Sequence, residues 1–167
     1  MTTTDTNAQI PVRLDFESLA TTFSAALNRL DGAATKELDR VEFDPQLREL
    51  IRIRASQING CAYCIDMHTK DARAIGETEQ RIYSLAAWRE TPFFSARERA
   101  ALAFTESVTL LARDHVPTED YNAVAAEFTP DEVAALISLI VTINAWNAIG
   151  GVAPRLVRAL IGAQRAR

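Results

Sequence analysis

The chain has 167 residues, 48% of them hydrophobic, and a formal net charge of −4. That length and apolar content suit a single domain with one buried core. The acidic balance, with a sequence pI near 5.2 and no basic run, argues against a nucleic-acid footprint and against attraction to an anionic membrane surface.

The first ten residues, Met1 to Ile10, are polar and lack a cationic–apolar signal pattern. Residues 1–12 therefore read as a flexible N-terminal segment, residues 13–167 as one domain, and the cytoplasm as its location. From Asp15, apolar residues at Phe16, Leu19, Ala20, Phe23, Leu27 and Leu30 follow helical spacing, with Gly32 as a stop and a short helical piece over Thr35 to Arg40. Asp44 caps the next helix with Pro45 at its first position, where a missing N–H is harmless. Leu47, Leu50, Ile51 and Ile58 form its buried stripe, and Asn59-Gly60 ends it. A helix from about Cys61 to Ile75 follows, closed by Gly76. Thr78 opens another, with Ile82, Leu85, Ala86 and Trp88 as its apolar set, and Pro92 breaks the chain. Ser95 and Glu98 form a capping box ahead of a long helix to about Arg113. Pro117-Thr118 opens a helix to Phe128, and Thr129-Pro130 opens an apolar one to Ile149, broken by Gly150-Gly151. A last short helix is expected from Pro154 to about Ala163. No segment alternates as a strand would, so the fold class is all-α with seven to nine helices.

The run from Val133 to Ile149 approaches the ~18 residues that suggest a membrane span. Ser138, Thr142, Asn144 and Asn147 interrupt it, which favours a helix buried in the core or at a subunit contact. There Asn144 and Asn147 must find partners, in that contact or in a pocket wall.

Chemistry concentrates in Gly60-Cys61-Ala62-Tyr63-Cys64-Ile65-Asp66-Met67-His68, which holds both cysteines of the chain and one of its two histidines. A helix opening near Cys61 puts Cys64 in the first turn, where free N–H groups and the positive dipole end favour a thiolate. The i,i+3 spacing of Cys61 and Cys64 brings the sulfurs within disulfide reach. His68, four residues past Cys64, leans back over that sulfur. The tight turn at Asn59-Gly60 makes the flanking helices antiparallel, and at ~1.5 Å per residue Glu49 then lies level with His68 to within about one turn. Glu49 can fix the imidazole tautomer, giving a nucleophile–base–orienter set with a thiol as nucleophile.

Plainer readings stand beside this one. Glu49 can pair with Arg52 on a wet surface, and His68 can be an ordinary half-buried histidine. The cysteines can be inert core residues, and Tyr63 can either pack or lend its hydroxyl. Cys61, Cys64 and His68 also offer three zinc-type ligands, but no second Cys/His pair closes a structural site, and His115 reads as a charge near a helix C-terminus. Trp88 and Trp146 read as core or interface.

The string Glu49, eleven residues, Cys61-x-x-Cys64, three residues, His68 resembles the active-site signature of the alkylhydroperoxidase AhpD-like family, within the carboxymuconolactone decarboxylase superfamily. The surrounding ELIRIRASQINGCAYCIDMHTKDAR and the later ARERAALAFTESVTLL are similar to that family's core. The resemblance implies an AhpD-like all-α helical bundle that assembles into trimers or hexamers. It also implies a thiol-dependent hydroperoxide reductase of antioxidant defence. Carried over by position, Cys64 attacks the peroxide, Cys61 resolves the sulfenic acid to a disulfide, His68 relays the proton and Glu49 orients His68. No bound cofactor or metal is expected; an external dithiol reductant, dihydrolipoyl or thioredoxin-like, is. This chain departs from AhpD at Tyr63, where AhpD carries a histidine. A general dithiol–disulfide oxidoreductase and a redox-sensing oligomeric protein without peroxidase activity are the alternative functions.

Overall fold

The structure, a computed structural model, describes residues 13–153. The expected flexible segment over residues 1–12 and the expected helix from Pro154 lie outside the described residues. In chain order the elements are α1 (Phe16–Leu19), α2 (Thr21–Arg40), α3 (Pro45–Asn59), α4 (Ala62–Ala74), α5 (Glu79–Ser84), a 3-10 segment (Leu85–Glu90), α6 (Ala96–Thr109), α7 (Leu111–Asp114), α8 (Thr118–Glu127) and α9 (Pro130–Val152). Among the described residues there is no strand, and the fold is the expected all-α bundle.

The bundle is built around α3, which packs against α4, α6 and α9. Asp44 starts it by accepting the Leu47 N–H at 2.7 Å, with Pro45 at the first position. Its buried residues serve three apolar clusters. Leu47 and Ile51 join Leu38, Phe104, Leu136 and Ile140; Leu50 and Ile53 join Leu85, Trp88 and Leu102; Ala55 sits with Cys61, Cys64 and Ile143. Each fully buried Leu or Ile stabilises by roughly 1.5–3 kcal/mol, so a helix buried on so many sides is held firmly in register. Ile58, expected in the stripe, is only half-buried.

Five boundaries differ from expectation. The first helix breaks at Ala20 (φ −116°, ψ 51°), and α2 then runs straight through Gly32 to Arg40. A lone helical glycine costs only about 1 kcal/mol against alanine, and buried Leu27, Ala34 and Leu38 on either side offset it. The N-terminal apolar set is correspondingly less buried than its spacing suggests: Leu19, Phe23 and Leu30 are exposed. After α5 the chain tightens into the 3-10 segment, kinked at Ala87, with Ala86 exposed, and the long helix after Ser95 is interrupted at Leu110. Finally, α9 continues through Gly150 and Gly151 to Val152. It is long and apolar enough to cross a membrane by composition, but it packs on α2, α3 and α6 as a core helix.

Glu106 on α6 ties this scaffold together. It accepts from Arg54 Nε of α3 at 2.8 Å, from Trp88 Nε1 at 2.8 Å, and from Arg89. Glu106→Ala strands those donors in a half-buried setting. It is expected to lower stability by about 2–3 kcal/mol, read as a fall in the urea midpoint without a change in slope; an unmoved midpoint refutes this role.

Candidate active site

The α3–α4 turn is made by Gly60 in the left-handed conformation (φ 67°, ψ 27°), which an L side chain adopts only with strain. Cys61 follows as the residue capping α4, and Cys64 is the third helical position. Because the turn folds α4 back along α3, Glu49, eleven residues before Gly60, meets His68, eight residues after it. His68 Nδ1 lies 2.8 Å from Glu49 Oε2, and both side chains are buried. A carboxylate only accepts, so Nδ1 carries the proton, and in the neutral ring Nε2 is the nitrogen with the lone pair.

The other Glu49 oxygen accepts from Arg52. The plain pairing with Arg52 and the orienting pairing with His68 therefore coexist, though away from a wet surface: Glu49 is 8% exposed. Burial pushes the Glu49 carboxyl up, but the His68 hydrogen bond and the Arg52 charge outweigh it and hold the group below its ordinary value. Glu49 is thus an ionised acceptor at neutral pH.

Both cysteines are free thiols, 1% and 3% exposed. They share a proton. The hydrogen bond from the Cys64 thiol lowers Cys61 to about 6, against burial and helped by the Cys64 and Tyr63 amides and the Asn147 side chain. Cys64 is pushed up, first by donating to Cys61 and then by burial. The helix mouth is expected to favour a thiolate at Cys64, whereas the shifts run down at Cys61 and up at Cys64. The sulfur–sulfur contact lets the pair carry one negative charge, favoured by the first-turn amides and Asn147. The pair loses its first proton early and its second late.

Beneath the sulfurs lies a polar network that joins α3 to α9. Asn147 Nδ2 donates to Ser56 Oγ at 3.0 Å, Ser56 Oγ donates to the Arg52 carbonyl at 2.7 Å, and Asn59 Nδ2 donates to Asn147 Oδ1 at 2.9 Å and Asn144 Oδ1 at 2.7 Å. Ser56 is 0% and Asn147 2% exposed, so these groups are dry and committed. Ser56 and Asn147 also favour the charged form of Cys64. Asn147 meets its expectation of a buried partner. Ser56 lies outside the residues singled out by the sequence, yet Glu49, Arg52 and Ser56 fall at i, i+3 and i+7, one face of one helix.

A cavity of about 410 Å³ opens beside these groups. Cys64, His68 and Tyr63 border it, and Cys61 does not. Burial first, then the negative charges of Cys64, Glu17 and Asp71, raise Tyr63, so its phenol stays protonated. Trp146 contributes to the wall, whereas Trp88 is a core residue. His115 ends α7 with φ 55° and takes no part. Among the described residues, the group whose ligand atoms lie within 4.8 Å of one another is Glu49, His68 and Asp71, without either cysteine. Both Glu49 oxygens already serve Arg52 and His68, so a cation there competes with a guanidinium.

Residues 21–107 match the carboxymuconolactone decarboxylase family. An uncharacterized Bacillus subtilis protein, YdfG, is 53% identical over 102 residues, which is 61% of this chain and 69% of its own length. The crystal structure of an Agrobacterium tumefaciens protein of unknown function, provisionally assigned as the antioxidant defence protein AhpD, superposes with a TM-score of 0.81 at 30% identity, covering 87% of this chain and 97% of the other. The debrominase Bmp8 shares the fold at a TM-score of 0.67 and 18% identity, over 80% of this chain and 70% of its own. Family match and fold agree with the geometry: the chain belongs to the carboxymuconolactone decarboxylase family and has an AhpD-like helical fold.

Proposed function

We propose that the protein is a thiol-dependent hydroperoxide reductase of antioxidant defence, working in the cytoplasm. One observation carries the reading: a reduced, proton-sharing dithiol whose outer sulfur faces a cavity beside an imidazole held by a buried carboxylate. Access and charge divide the labour. The pair carries the resting charge, and Cys64 borders the cavity while Cys61 does not, so the peroxide meets Cys64. Cys64 passes its proton to Cys61 or to the free Nε2 of His68, and its sulfur attacks the outer peroxide oxygen. The O–O bond breaks, the alkoxide leaves with a proton as the alcohol, and Cys64 becomes a sulfenic acid. Cys61 displaces hydroxide from it, forming the disulfide and releasing water. An external dithiol, dihydrolipoyl or thioredoxin-like, restores both thiols.

Among the alternatives, general disulfide exchange would use the same two sulfurs, and turnover with a peroxide compared against turnover with a disulfide substrate separates the two. The redox-sensing alternative requires oxidation to change oligomer size without peroxide consumption. Exposed Leu19, Phe23 and Leu30 at the N-terminal end, with Ile137 and Val141 on α9, support a homo-oligomer, and the family resemblance favours a trimer or hexamer. The aromatic cavity wall favours one second chemistry, reductive dehalogenation of an aromatic ring. The carbon–halogen bond breaks, one sulfur takes the halogen, the ring carbon takes a proton, and the second sulfur expels halide to form the disulfide. The solved complex of a Bmp8 variant with 2,3,4-tribromopyrrole makes that compound the natural comparison substrate.

Reduced protein should consume an organic hydroperoxide and lose two thiols, measured by stopped flow with thiol titration. Cys64→Ser should abolish this, whereas Cys61→Ser should react once and leave a dimedone-trappable sulfenic acid on Cys64. Minutes of coexistence with peroxide and no thiol loss would remove the reading, and halide release from the bromopyrrole would replace it with the second.

Glu49→Gln should cut kcat/KM by about 10–100-fold, since the orienting charge is lost while the side-chain shape remains. The thiol-loss rate should rise with pH through about 6, where Cys61 deprotonates and the reactive monoanion forms. Asn147→Leu removes a group that lowers the pair, so its midpoint, followed by thiolate absorbance, should move upward. A wild-type midpoint at the ordinary thiol value of about 8.5 would contradict the shared-proton assignment.

A further inference from the structure

We infer that the cavity over Cys64 takes an uncharged or cationic organic molecule with a ring-sized apolar body and discriminates against carboxylate-bearing molecules. This rests on the reading that a small molecule meets Cys64 there, and it holds for either chemistry.

Size gives the first argument. A cavity of about 410 Å³ far exceeds what hydrogen peroxide fills, since a water-sized molecule occupies roughly 30 Å³. The wall gives the second. Tyr63 and Met67 of α4 face Leu139, Ile143 and Trp146 of α9. Aromatic faces stack on flat bodies, and a thioether adapts to irregular ones.

Charge gives the third. Glu17, Asp31 and Asp71 border the same space, and none of them pairs with a cation among the described residues. The guanidinium that borders it, Arg52, is already engaged by buried Glu49. The dithiol adds its own negative charge when reactive. Among the described residues, a carboxylate entering the cavity meets three like charges, and the guanidinium on the wall already pairs with Glu49; one like charge about 7 Å away, at an effective dielectric near 40, weakens binding by roughly tenfold.

The test uses three hydroperoxides that share one cumyl body: cumene hydroperoxide, its para-carboxylate and its para-aminomethyl derivative. kcat/KM is measured on the reduced full-length protein, and the matching cumyl alcohols are titrated calorimetrically. The carboxylate is expected to fall below the neutral compound by about tenfold or more in both readouts. Added salt should narrow the gap, and so should the double variant Glu17→Gln/Asp31→Asn, whose sites lie outside the apolar core. Equal or better handling of the carboxylate overturns the inference, as does a gap that ignores both rim substitutions and salt. If none of the hydroperoxides turns over while the alcohols keep their charge order, the peroxidase reading fails and the selectivity stands. Turnover without charge order is the reverse case.

Discussion

The site depends on one reversal of the backbone. Gly60, with φ 67°, turns α4 back along α3 so that Glu49 and His68, nineteen residues apart, share a hydrogen bond of 2.8 Å. No side chain crowds the Cα of Gly60, so its requirement is conformational rather than steric. A residue with a Cβ would strain the turn by roughly 1–2 kcal/mol, and any relaxation would slide α4 against α3. A slide of one residue moves the imidazole by about 1.5 Å, enough to break a bond of this kind. Burial raises the stakes, because an ionised Glu49 this enclosed has lost most of its water and relies on His68 and Arg52 in its place.

Within that frame the two sulfurs settle into unequal roles. Electrostatics favours one negative charge on the pair, with the shifts running down at Cys61 and up at Cys64. Geometry favours reaction at Cys64, which borders the cavity. These preferences are compatible because the proton between the sulfurs is mobile.

How far this is legible in the sequence follows from how local each feature is. Asp44-Pro45, Ser95/Glu98 and Thr129/Glu132 are contiguous capping signals, and each starts a helix where the residues say. The Glu49–His68 pairing is legible because one tight turn links the two helices, so counting residues along each is enough. Features that depend on distant helices are not. The break at Ala20 carries no Gly or Pro, and the exposure of Phe23 and Leu30 reflects which neighbours α2 happens to face. The Ser56–Asn147 contact spans ninety-one positions, and the cavity wall draws on α4 and α9 together. The lowered Cys61 and raised Cys64 depend on how the two sulfurs meet, which spacing allows but does not orient.

Gly150 illustrates the limit most directly. Beside Gly151 it reads as a helix stop, yet α9 passes through both. A Cβ at position 150 would sit 2.8 Å from the Cys61 sulfur and 3.9 Å from that of Cys64, the first closer than real carbon contacts allow. The missing side chain lets α9 lie directly on the dithiol. That approach brings Ile143 and Trp146 against the cysteines and sets Asn147, one turn before the glycine, over the buried network. The helix gives up about 1 kcal/mol of intrinsic propensity at that glycine, and the contact it gains excludes water from the sulfurs. Burial by itself raises both thiols, and at Cys61 the contacts with Cys64, the first-turn amides and Asn147 outweigh it. The candidate site is therefore a construction of three helices, with α3 supplying the carboxylate, α4 the sulfurs and imidazole, and α9 the cover over the sulfurs.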